Sequence, residues 1–431
     1  MQTHRVGEKM ITRIPLMLAL FPCVAYPIHA QETLEERIGA LEEKMEAQAE
    51  EEEASPLYVY WDRGLRIDSA DRKVRFRVGG RIQIDWAFFS EDDDLKGRVG
   101  DSEDGVEFRR ARLFVSGTMF ESYIFKAQYD FAGGDADFKD VYVGLEDIPY
   151  VGRLRVGQFY EPFNLDELTS DNYITFLERS LANVFTPSRH TGIGLNHHLW
   201  DKRATWSLGG FRETNTSGDV SDDNGGYAVT ARVTGLPWFE NEEKLLHLGV
   251  AYSYRHPLSD GLRYSQRPEA HLATRYVDTG DMVDVDRVNL VGAEVAVVLG
   301  PLSLQSEFIH SWVESDFESN PRFFGYYVQV SYFVTGEHRA YSTSSGTFGR
   351  IEPMETFLGA ERGPGAVELG LRYSYLDLDD ENVSGGKLKD ITAGINWYLN
   401  RRFRVMANYI YADLDGPGEA NIFEMRFQVD F

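Results

Sequence analysis

The last eleven residues of the sequence, 421–431, alternate without a break between apolar and polar side chains and end on Phe431. Because successive side chains of a β-strand point to opposite faces, this pattern predicts a strand with one apolar and one charged face. A soluble sheet turns its charged face to water, whereas a membrane barrel turns its apolar face to lipid and its polar face to a wet lumen. One strand fits both arrangements, so the remaining sequence has to decide between them.

Alternating segments of about ten residues, the length of a membrane strand, recur from residue 57 to the end of the chain. Clear examples start at Val74, Tyr123, Leu369 and Phe403, and turn-forming residues separate them. Aromatic residues often lie at the ends of the apolar faces, where membrane barrels have their interfacial girdles. We therefore predict an all-β membrane protein.

Connection lengths predict the topology, because bacterial barrels have short periplasmic turns, longer outer loops and an even number of strands. Short turns at 120–122, 148–152 and 201–202 alternate with acidic loops at 90–104 and 215–224. This alternation places the short turns in the periplasm and the acidic loops outside the cell.

The strand count follows from the same rule. Seventeen segments qualify as strands, and an even number results if 257–286 is one long outer loop. We therefore predict that residues 74–431 form a 16-stranded antiparallel transmembrane β-barrel, in which 337–364 is a long periplasmic connection. An eighteen-stranded barrel is the alternative if residues 57–68 contribute to the wall.

Residues 1–30 have the features of a secretory signal peptide, with a basic start, an apolar core at 14–25 and a cleavage motif at 28–30. The apolar core is about half of the roughly 20 residues that a spanning helix needs. The single cysteine, Cys23, lies inside this segment, so we expect no disulfide in the exported chain. Export together with a barrel predicts the outer membrane of a Gram-negative bacterium.

Residues 31–54 form an acidic segment, which we predict to be a short coiled-coil helix in the periplasm. Thr33 and Glu36 make a capping box, and apolar residues follow at spacings of four, three and four, at 34, 38, 41 and 45. Two heptads are marginal alone, so such a helix contributes only if something else holds several chains together. A solvated acidic linker is the alternative, and residues 55–73 are either a linker or a short hairpin.

The chain is strongly acidic, with a formal net charge of −25. Residues 1–30 carry +2 and residues 31–54 carry −8, which leaves −19 for the rest of the chain. Nucleic-acid binding needs a clustered positive field, so this class of partner is excluded.

Basic residues nevertheless cluster on the predicted lumen face of the first five strands, at Arg77, Arg81, Arg110, Arg112, Lys126 and Arg155. Charged rings in a channel select ions by sign, and guanidinium groups form bidentate bonds with phosphate and carboxylate. A row of such groups could pass an oxyanion along a pore. The alternative is structural pairing with lumen acids such as Asp85, Asp130 and Glu368.

Two long outer segments, 160–189 and 256–286, are candidates to fold into the lumen and narrow it. The first carries Arg179 and the second carries Arg267, so each would bring further positive charge to the channel.

The sequence has no motif that indicates catalysis or cofactor binding. It lacks the nucleophile elbow of serine hydrolases, the His-Glu-x-x-His motif of zinc proteases and a glycine-rich phosphate loop after a strand. We therefore expect neither an enzyme nor a cofactor, and we expect no metal site. A barrel hydrolase is the remaining enzymatic alternative, and ester turnover would reveal it.

The chain resembles the phosphate-selective porin O and P family. The resemblance is carried by short phrases in order along the barrel, at residues 108–113, 125–131, 157–163, 176–180, 267–269, 277–280 and 332–337. It implies a trimeric sixteen-stranded porin whose third and fifth loops fold inward, and an arginine ladder that leads anions to a narrow site of basic residues with an aspartate. Matched phrases assign this lining to Arg110, Arg112, Lys126, Asp130, Arg179 and Arg267.

We therefore expect an outer-membrane porin for passive diffusion of small anions, with phosphate or polyphosphate first. The expected partners are small inorganic anions, outer-membrane lipid and lipopolysaccharide, and two further copies of the chain. A general porin with weak or cationic selectivity is one alternative, favoured by the acidic barrel sequence. A structural or adhesive surface barrel with a plugged lumen is another, and the absence of conductance would distinguish it.

Overall fold

The computed structural model describes residues 38–44, 57–62, 64–220, 226–257, 261–315, 320–358 and 362–431. The chain divides into two compact units, Met1–Ser55 and Pro56–Phe431. In the first unit, residues 38–44 are helical, and Ile38 and Leu41 are exposed. The predicted signal peptide and the ends of the predicted coiled coil lie outside the described residues. No helix in the described part of the chain is long and apolar enough to cross a bilayer.

The described residues of the second unit contain twenty-two strands. They are β1 (Leu57–Trp61), β2 (Leu65–Ser69), β3 (Arg75–Glu91), β4 (Gly105–Met119), β5 (Tyr123–Asp130), β6 (Asp137–Ile148), β7 (Gly152–Tyr160), β8 (Arg189–Leu199), β9 (Ala204–Arg212), β10 (Tyr227–Asn241), β11 (Lys244–His256), β12 (Ser265–Gln266), β13 (Val277–Asp278), β14 (Val285–Leu299), β15 (Leu302–Ser315), β16 (Arg322–Phe333), β17 (Tyr341–Ser342), β18 (Thr347–Phe348), β19 (Ala366–Asp380), β20 (Val383–Tyr398), β21 (Phe403–Leu414) and β22 (Gly418–Asp430).

Sixteen of these strands form a closed antiparallel barrel, namely β3–β11, β14–β16 and β19–β22. Each strand pairs with its neighbour along the chain, and β22 closes the ring on β3 from Ala420 opposite Glu91 to Asp430 opposite Arg81. The predicted 16-stranded barrel is confirmed. Residues 257–284 connect β11 to β14 as one loop that contains the small hairpin β12–β13.

The N-terminal hairpin β1–β2 lies outside the closed ring. Strand β2 pairs with the first residues of β3, from Asp68 opposite Arg75 to Leu65 opposite Val78, before β22 takes over the same edge of β3. The hairpin therefore extends the sheet at one end of the barrel, and the eighteen-stranded alternative is wrong for the ring itself.

The barrel is apolar outside and polar inside, the reverse of a soluble protein. Phe427 is 47% exposed and Tyr373 is 36% exposed. Arg426, which precedes Phe427 and points into the lumen, is fully buried. Exposed aromatic rings also contact each other across neighbouring strands, as in the Phe88–Phe423 pair with ring centroids 6.3 Å apart. The period-two pattern is therefore turned toward lipid, as the sequence predicts.

The two ends of the barrel differ in their connections. One end, here called the turn end, has the links 120–122, 149–151, 200–203, 242–243, 300–301, 334–365 and 399–402. Most are tight, and Gly300 takes a left-handed φ of 58° in the two-residue link before Pro301, a conformation that favours glycine. Because bacterial barrels keep their short turns in the periplasm, the turn end is the periplasmic side.

Three long connections fold into the lumen. They are named L3 (residues 161–188), L5 (residues 257–284) and T6 (residues 334–365). L3 includes helix α2 (Leu165–Leu168) and a 3₁₀ turn at Leu181–Phe185, while the only other helix described in this unit, α1 (Asp93–Val99), lies in the loop after β3. Buried apolar side chains of the three connections include Leu181, Tyr264 and Phe348.

These connections fill one side of the lumen and leave the other side less crowded. Lumen residues of β14–β16 and β19–β22 are almost fully buried, whereas several on β3–β8, such as Arg77, Lys126 and Arg155, are only partly buried. The wall formed by β3–β8 therefore lines the remaining water-accessible space.

Candidate functional site

The narrow part of the lumen is formed where L3 meets the basic wall of β3 and β4. Register places Arg81 opposite Arg112 and Gln83 opposite Arg110, all on the lumen face. Like charges directly opposite each other destabilise a sheet unless an acid is shared between them. L3 supplies that acid, because the carboxylate of Asp171 contacts the guanidinium groups of all three arginines.

Asp171 is buried at this junction. Its Oδ2 accepts from Nη1 of Arg112 at 2.9 Å, and it also pairs with Arg81 and Arg110. Burial alone would raise the pKa of Asp171, but the three guanidinium groups around it hold this pKa well below its usual value. The L3 junction is therefore ionised throughout the physiological range.

The basic wall continues across β5, β6 and β8. Arg112 also donates to Asp130 at 2.6 Å, while Lys126 and Arg189 both donate to Asp140, at 2.5 and 2.7 Å. Around L3, five basic groups thus share three carboxylates. Among these eight groups, positive charges exceed negative charges by two.

A second acid of L3, Glu178, faces the loop-end part of the wall. It accepts two bonds from Arg109, at 2.7 and 2.9 Å, and one from Arg426 at 2.9 Å. Burial would raise the pKa of Glu178, but Arg109 and its basic neighbours hold it well below its usual value. Asp171 and Glu178 are therefore two ionised side chains that fix L3 to the basic wall.

Two cavities lie on either side of this junction. The inner cavity, toward the turn end, has a volume of about 280 Å³, and its charged lining consists of Arg77, Arg81, Lys126, Arg350 and a single acid, Asp430. The outer cavity, toward the loop end, has a volume of about 290 Å³ and a balanced lining of Arg109, Arg179, Arg267, Glu167, Glu178 and Glu269, together with His271. Of these two cavities, the inner one is therefore the one in which positive charge dominates.

Five of the nine site residues expected from the sequence meet at the L3 junction, namely Arg81, Arg110, Arg112, Lys126 and Asp130. Arg110 and Arg112 are almost fully buried. Arg77 lies nearby in the inner cavity, with its guanidinium 5.0 Å from the ring centre of Phe114.

The other three expected residues lie elsewhere. Arg155 stacks on the ring of Phe159 at 4.4 Å, and its Nε has no hydrogen-bond partner among the described residues. Arg179 holds L3 together by donating to the backbone carbonyls of residues 166, 167 and 169, rather than joining the basic wall. Arg267 lines the outer cavity, where burial and the neighbouring Arg275 lower its pKa.

Sequence reasoning missed the acids that organise the site, Asp171 and Glu178, and also Asp140, Arg189 and Arg350. Asp171 and Glu178 lie in an irregular loop, where no periodicity tells which side chains point to the wall. Asp140 and Arg189 belong to strands. The predicted lumen face of β3–β5 has more basic than acidic residues, and this excess could have indicated that a neighbouring strand supplies further acids such as Asp140.

The comparison with known protein families shows which family the chain belongs to. A profile described as "Phosphate-selective porin O and P" matches residues 76–431, which is the closed barrel without its first residue. The chain belongs to this family. Porin O of Pseudomonas aeruginosa is 25% identical to it over 417 residues, which cover 85% of this chain and 91% of that protein.

Solved structures support the same architecture for this porin. OmpT of Vibrio cholerae, an outer membrane protein solved in its trimer form, superimposes with a TM-score of 0.54 at 12% identity over 83% of this chain and 99% of that chain. An anion-selective porin from Comamonas acidovorans gives a TM-score of 0.51 at 13% identity over 83% of this chain and 100% of that chain. At these identities the likeness concerns the fold alone.

The porin is an outer-membrane barrel, and its family and fold point to a channel rather than an enzyme. Within the described residues, no group of three or more His, Cys, Asp or Glu side chains is arranged to hold a metal ion.

Proposed function

We propose that this porin allows passive diffusion of small anions across the outer membrane, with phosphate or polyphosphate favoured. The observation that carries the proposal is the L3 junction, where five basic groups share three carboxylates. Because the junction borders the inner cavity, an oxyanion there meets unbalanced positive charge and guanidinium donors that suit its geometry.

The acidity of the whole chain does not oppose this proposal strongly. Exposed acids such as Asp93, Asp94 and Glu103 lie in the loop after β3 at the outer mouth. Charges farther away than the Debye length of about 8 Å are largely screened at physiological salt. The local charge around L3 then determines selectivity, because a narrow low-dielectric passage strengthens nearby charges.

Single-channel recording with phosphate titration tests the proposal. We expect low millimolar phosphate to reduce the chloride current of the wild-type porin. Arg81→Gln and Lys126→Gln should weaken this block, because both side chains line the inner cavity. Arg263→Gln is the matched control, since Arg263 is half exposed on L5 and pairs with Asp278 at 2.6 Å, away from the L3 junction. Equal block in all four proteins would overturn the proposal.

A general porin with cationic preference is the second candidate, favoured by the acidic composition and by the pairing of most lumen arginines. Potassium preference without phosphate block would support it. A plugged surface barrel is favoured by the three connections inside the lumen, and a folded, membrane-inserted protein without conductance would establish it.

We further propose that the porin forms a homotrimer in contact with outer-membrane lipid and lipopolysaccharide, and that the helix containing residues 38–44 extends into the periplasm. The trimer form of OmpT and the family resemblance support the trimer. Native mass spectrometry in detergent tests it, and a purely monomeric mass would contradict it.

A further inference from the structure

Arg372 and Glu269 form a buried ion pair between the barrel wall and L5. Arg372 belongs to β19 and is 2% exposed, while Glu269 belongs to L5 and is 4% exposed. Nε of Arg372 donates to Oε2 of Glu269 at 3.0 Å, and Nη2 donates to the same oxygen. A buried charge is costly without its partner, so the two side chains constrain each other.

The wall provides Glu269 with a complete set of donors. Ser374 Oγ donates to Oε1 at 2.5 Å and Thr392 Oγ1 donates to Oε2 at 2.6 Å. Glu269 also has a φ of 45°, a left-handed conformation that non-glycine residues keep only when the surroundings fix it. This part of L5 is therefore held by specific contacts in addition to the apolar packing of Ala270 and Ala273.

The same arginine also holds L3. Nη2 of Arg372 donates to the backbone carbonyl of Glu178 at 3.0 Å, and its guanidinium lies 4.4 Å from the ring centre of Phe176. Both contacts are in L3, next to the carboxylate that fixes this loop to the basic wall. One side chain thus contacts both loops that narrow the lumen.

Other contacts of L5 with the opposite wall are weaker candidates for this role. His271 meets Glu107 of β4 where both side chains are partly exposed, and Thr274 meets Ser102, in the loop after β3, through neutral groups. Only the Arg372–Glu269 pair combines full burial, opposite charges and contact with both loops among the described residues.

We propose that Arg372 is a positioning residue that couples L3 to L5. Loss of Glu269 releases L5, whereas loss of Arg372 loosens both loops. The coupling does not depend on which ion the porin passes, so it can hold or fail independently of the anion selectivity proposed above.

Thiol labelling tests the coupling in the full chain with Cys23 replaced by serine, because this chain has no other cysteine. The reporters are Ala273→Cys in L5 and Ala182→Cys in L3, at positions 3% and 1% exposed. The measured quantity is the rate of modification by a water-soluble methanethiosulfonate reagent. Heat-modifiable gel mobility confirms that each barrel has folded.

We expect Glu269→Gln to raise labelling of the L5 reporter by roughly tenfold and to leave the L3 reporter protected, as local opening of one segment would. Arg372→Gln should raise labelling of both reporters. Arg372→Lys should restore protection of the L5 reporter, since it keeps a charge for Glu269. Lys389→Gln is the control, because the Lys389–Asp413 pair lies on the outward face of neighbouring strands.

An unchanged labelling rate of the L5 reporter in Glu269→Gln would overturn the proposal. A raised labelling rate of only one of the two reporters in Arg372→Gln would also overturn it. If Arg372→Gln does not fold, Arg372→Lys takes its place in the measurement on the L3 reporter. Lysine lacks the planar fork of guanidinium donors, so it cannot bind the Glu269 carboxylate and the Glu178 carbonyl at the same time. The L3 reporter is then expected to label faster than in the wild-type chain.

Discussion

A single loop carboxylate organises the charge of the narrow lumen. Asp171 lies between three arginines that register brings together on β3 and β4. Without an acid, these guanidinium groups would repel each other in a poorly solvated space. With one acid among three bases, the repulsion is relieved while net positive charge remains.

Neutralising this acid should therefore make the channel more anion-selective. In Asp171→Asn the amide still accepts a hydrogen bond, Glu178 still fixes L3, and the junction gains one unit of net positive charge. We expect the anion-to-cation permeability ratio to rise by about fivefold, corresponding to a charge effect of about 1 kcal/mol. The measurement is the reversal potential in a potassium chloride gradient.

Asp101→Asn is the matched control, because Asp101 is an exposed acid in the loop after β3, where it meets Lys96 at 3.2 Å. It should leave the ratio unchanged. A fall in anion preference in Asp171→Asn would contradict the proposed role of the surplus charge.

Part of the pH dependence of L3 follows from the low pKa values of two of its acids, Asp171 and Glu178. A carboxyl whose pKa is lower in the folded state contributes stability above its unfolded pKa and loses it as pH falls through the folded pKa. The pKa values of Asp171 and Glu178 are both held well below normal. We therefore expect the open-channel current noise to stay constant from about pH 7 to about pH 5 and to rise only below about pH 4. Noise that rises between neutral pH and pH 5 would contradict this assignment.

At the residue scale, the sequence predicts the strand residues of the site better than the loop residues. Arg112 and Asp130 could be placed on the lumen face because period two fixes the direction of every strand side chain. Asp171 could not, since L3 has no period and its direction depends on tertiary contacts with β3 and β4. Arg179 shows the same limit, because its positive charge suggested the lumen but its donors satisfy backbone carbonyls of its own loop.

At the element scale, L3 keeps its shape through an internal clamp. Arg179 donates to the backbone carbonyls of residues 166, 167 and 169 and pairs with the carboxylate of Glu167 at 3.0 Å. Hydrogen bonds to charged groups contribute about 1.5–3 kcal/mol each when buried. Removing them should loosen the loop without altering the wall.

We therefore expect Arg179→Gln to increase brief closures and current noise while the reversal potential changes little. This signature is the opposite of that expected for Asp171→Asn, which changes selectivity more than noise. Arg287→Gln is the control, since Arg287 is an exposed arginine beside Asp286 and Glu314. If Arg179→Gln shifts selectivity without adding noise, Arg179 acts on ions directly and the clamp is wrong.

The connection T6 shows what strand periodicity leaves undecided. T6 connects β16 to β19 at the turn end of the barrel. This position follows from the alternation of turns and loops, as the sequence predicts. Its entry into the lumen does not, because Tyr341, Phe348 and Ile351 could equally have packed on one another outside the barrel. Contacts such as that of His247 with Tyr341 Oη at 2.6 Å become visible only in the folded wall.

At the scale of the whole molecule, the outward apolar face is what places this barrel in a membrane. Leu371 lies within β19 and is 50% exposed, whereas Tyr332 lies at the turn end of β16 and is 47% exposed. The cost of an arginine on a lipid-facing site depends on depth, about 2–4 kcal/mol near the midplane and about 0–1 kcal/mol near the interfaces.

We therefore expect Leu371→Arg to lower the free energy of unfolding in lipid bilayers by about 2–4 kcal/mol and Tyr332→Arg by about 1 kcal/mol or less. Reversible denaturant titration in phosphatidylcholine vesicles measures both. Equal costs at the two positions would mean that depth in the membrane is not what distinguishes them.

The architecture was predictable because many weak strand signals obey one rule. Each alternating segment is ambiguous alone, but an even strand number, short turns on one side and closure of β22 on β3 constrain them jointly. The filling of the lumen was predictable only in part, since the two long outer segments were recognised from their length while their wall contacts were not. The proposed selectivity depends on those contacts.

The reversal potential of single wild-type channels in a potassium chloride gradient tests the central claim most directly. The surplus of positive charge around L3 predicts that the reversal potential has the sign of the chloride equilibrium potential. When phosphate replaces chloride on the concentrated side, we expect the reversal potential to shift further in the same direction. A potential of the sign set by potassium would contradict the account, because the L3 junction would then not determine which ions pass.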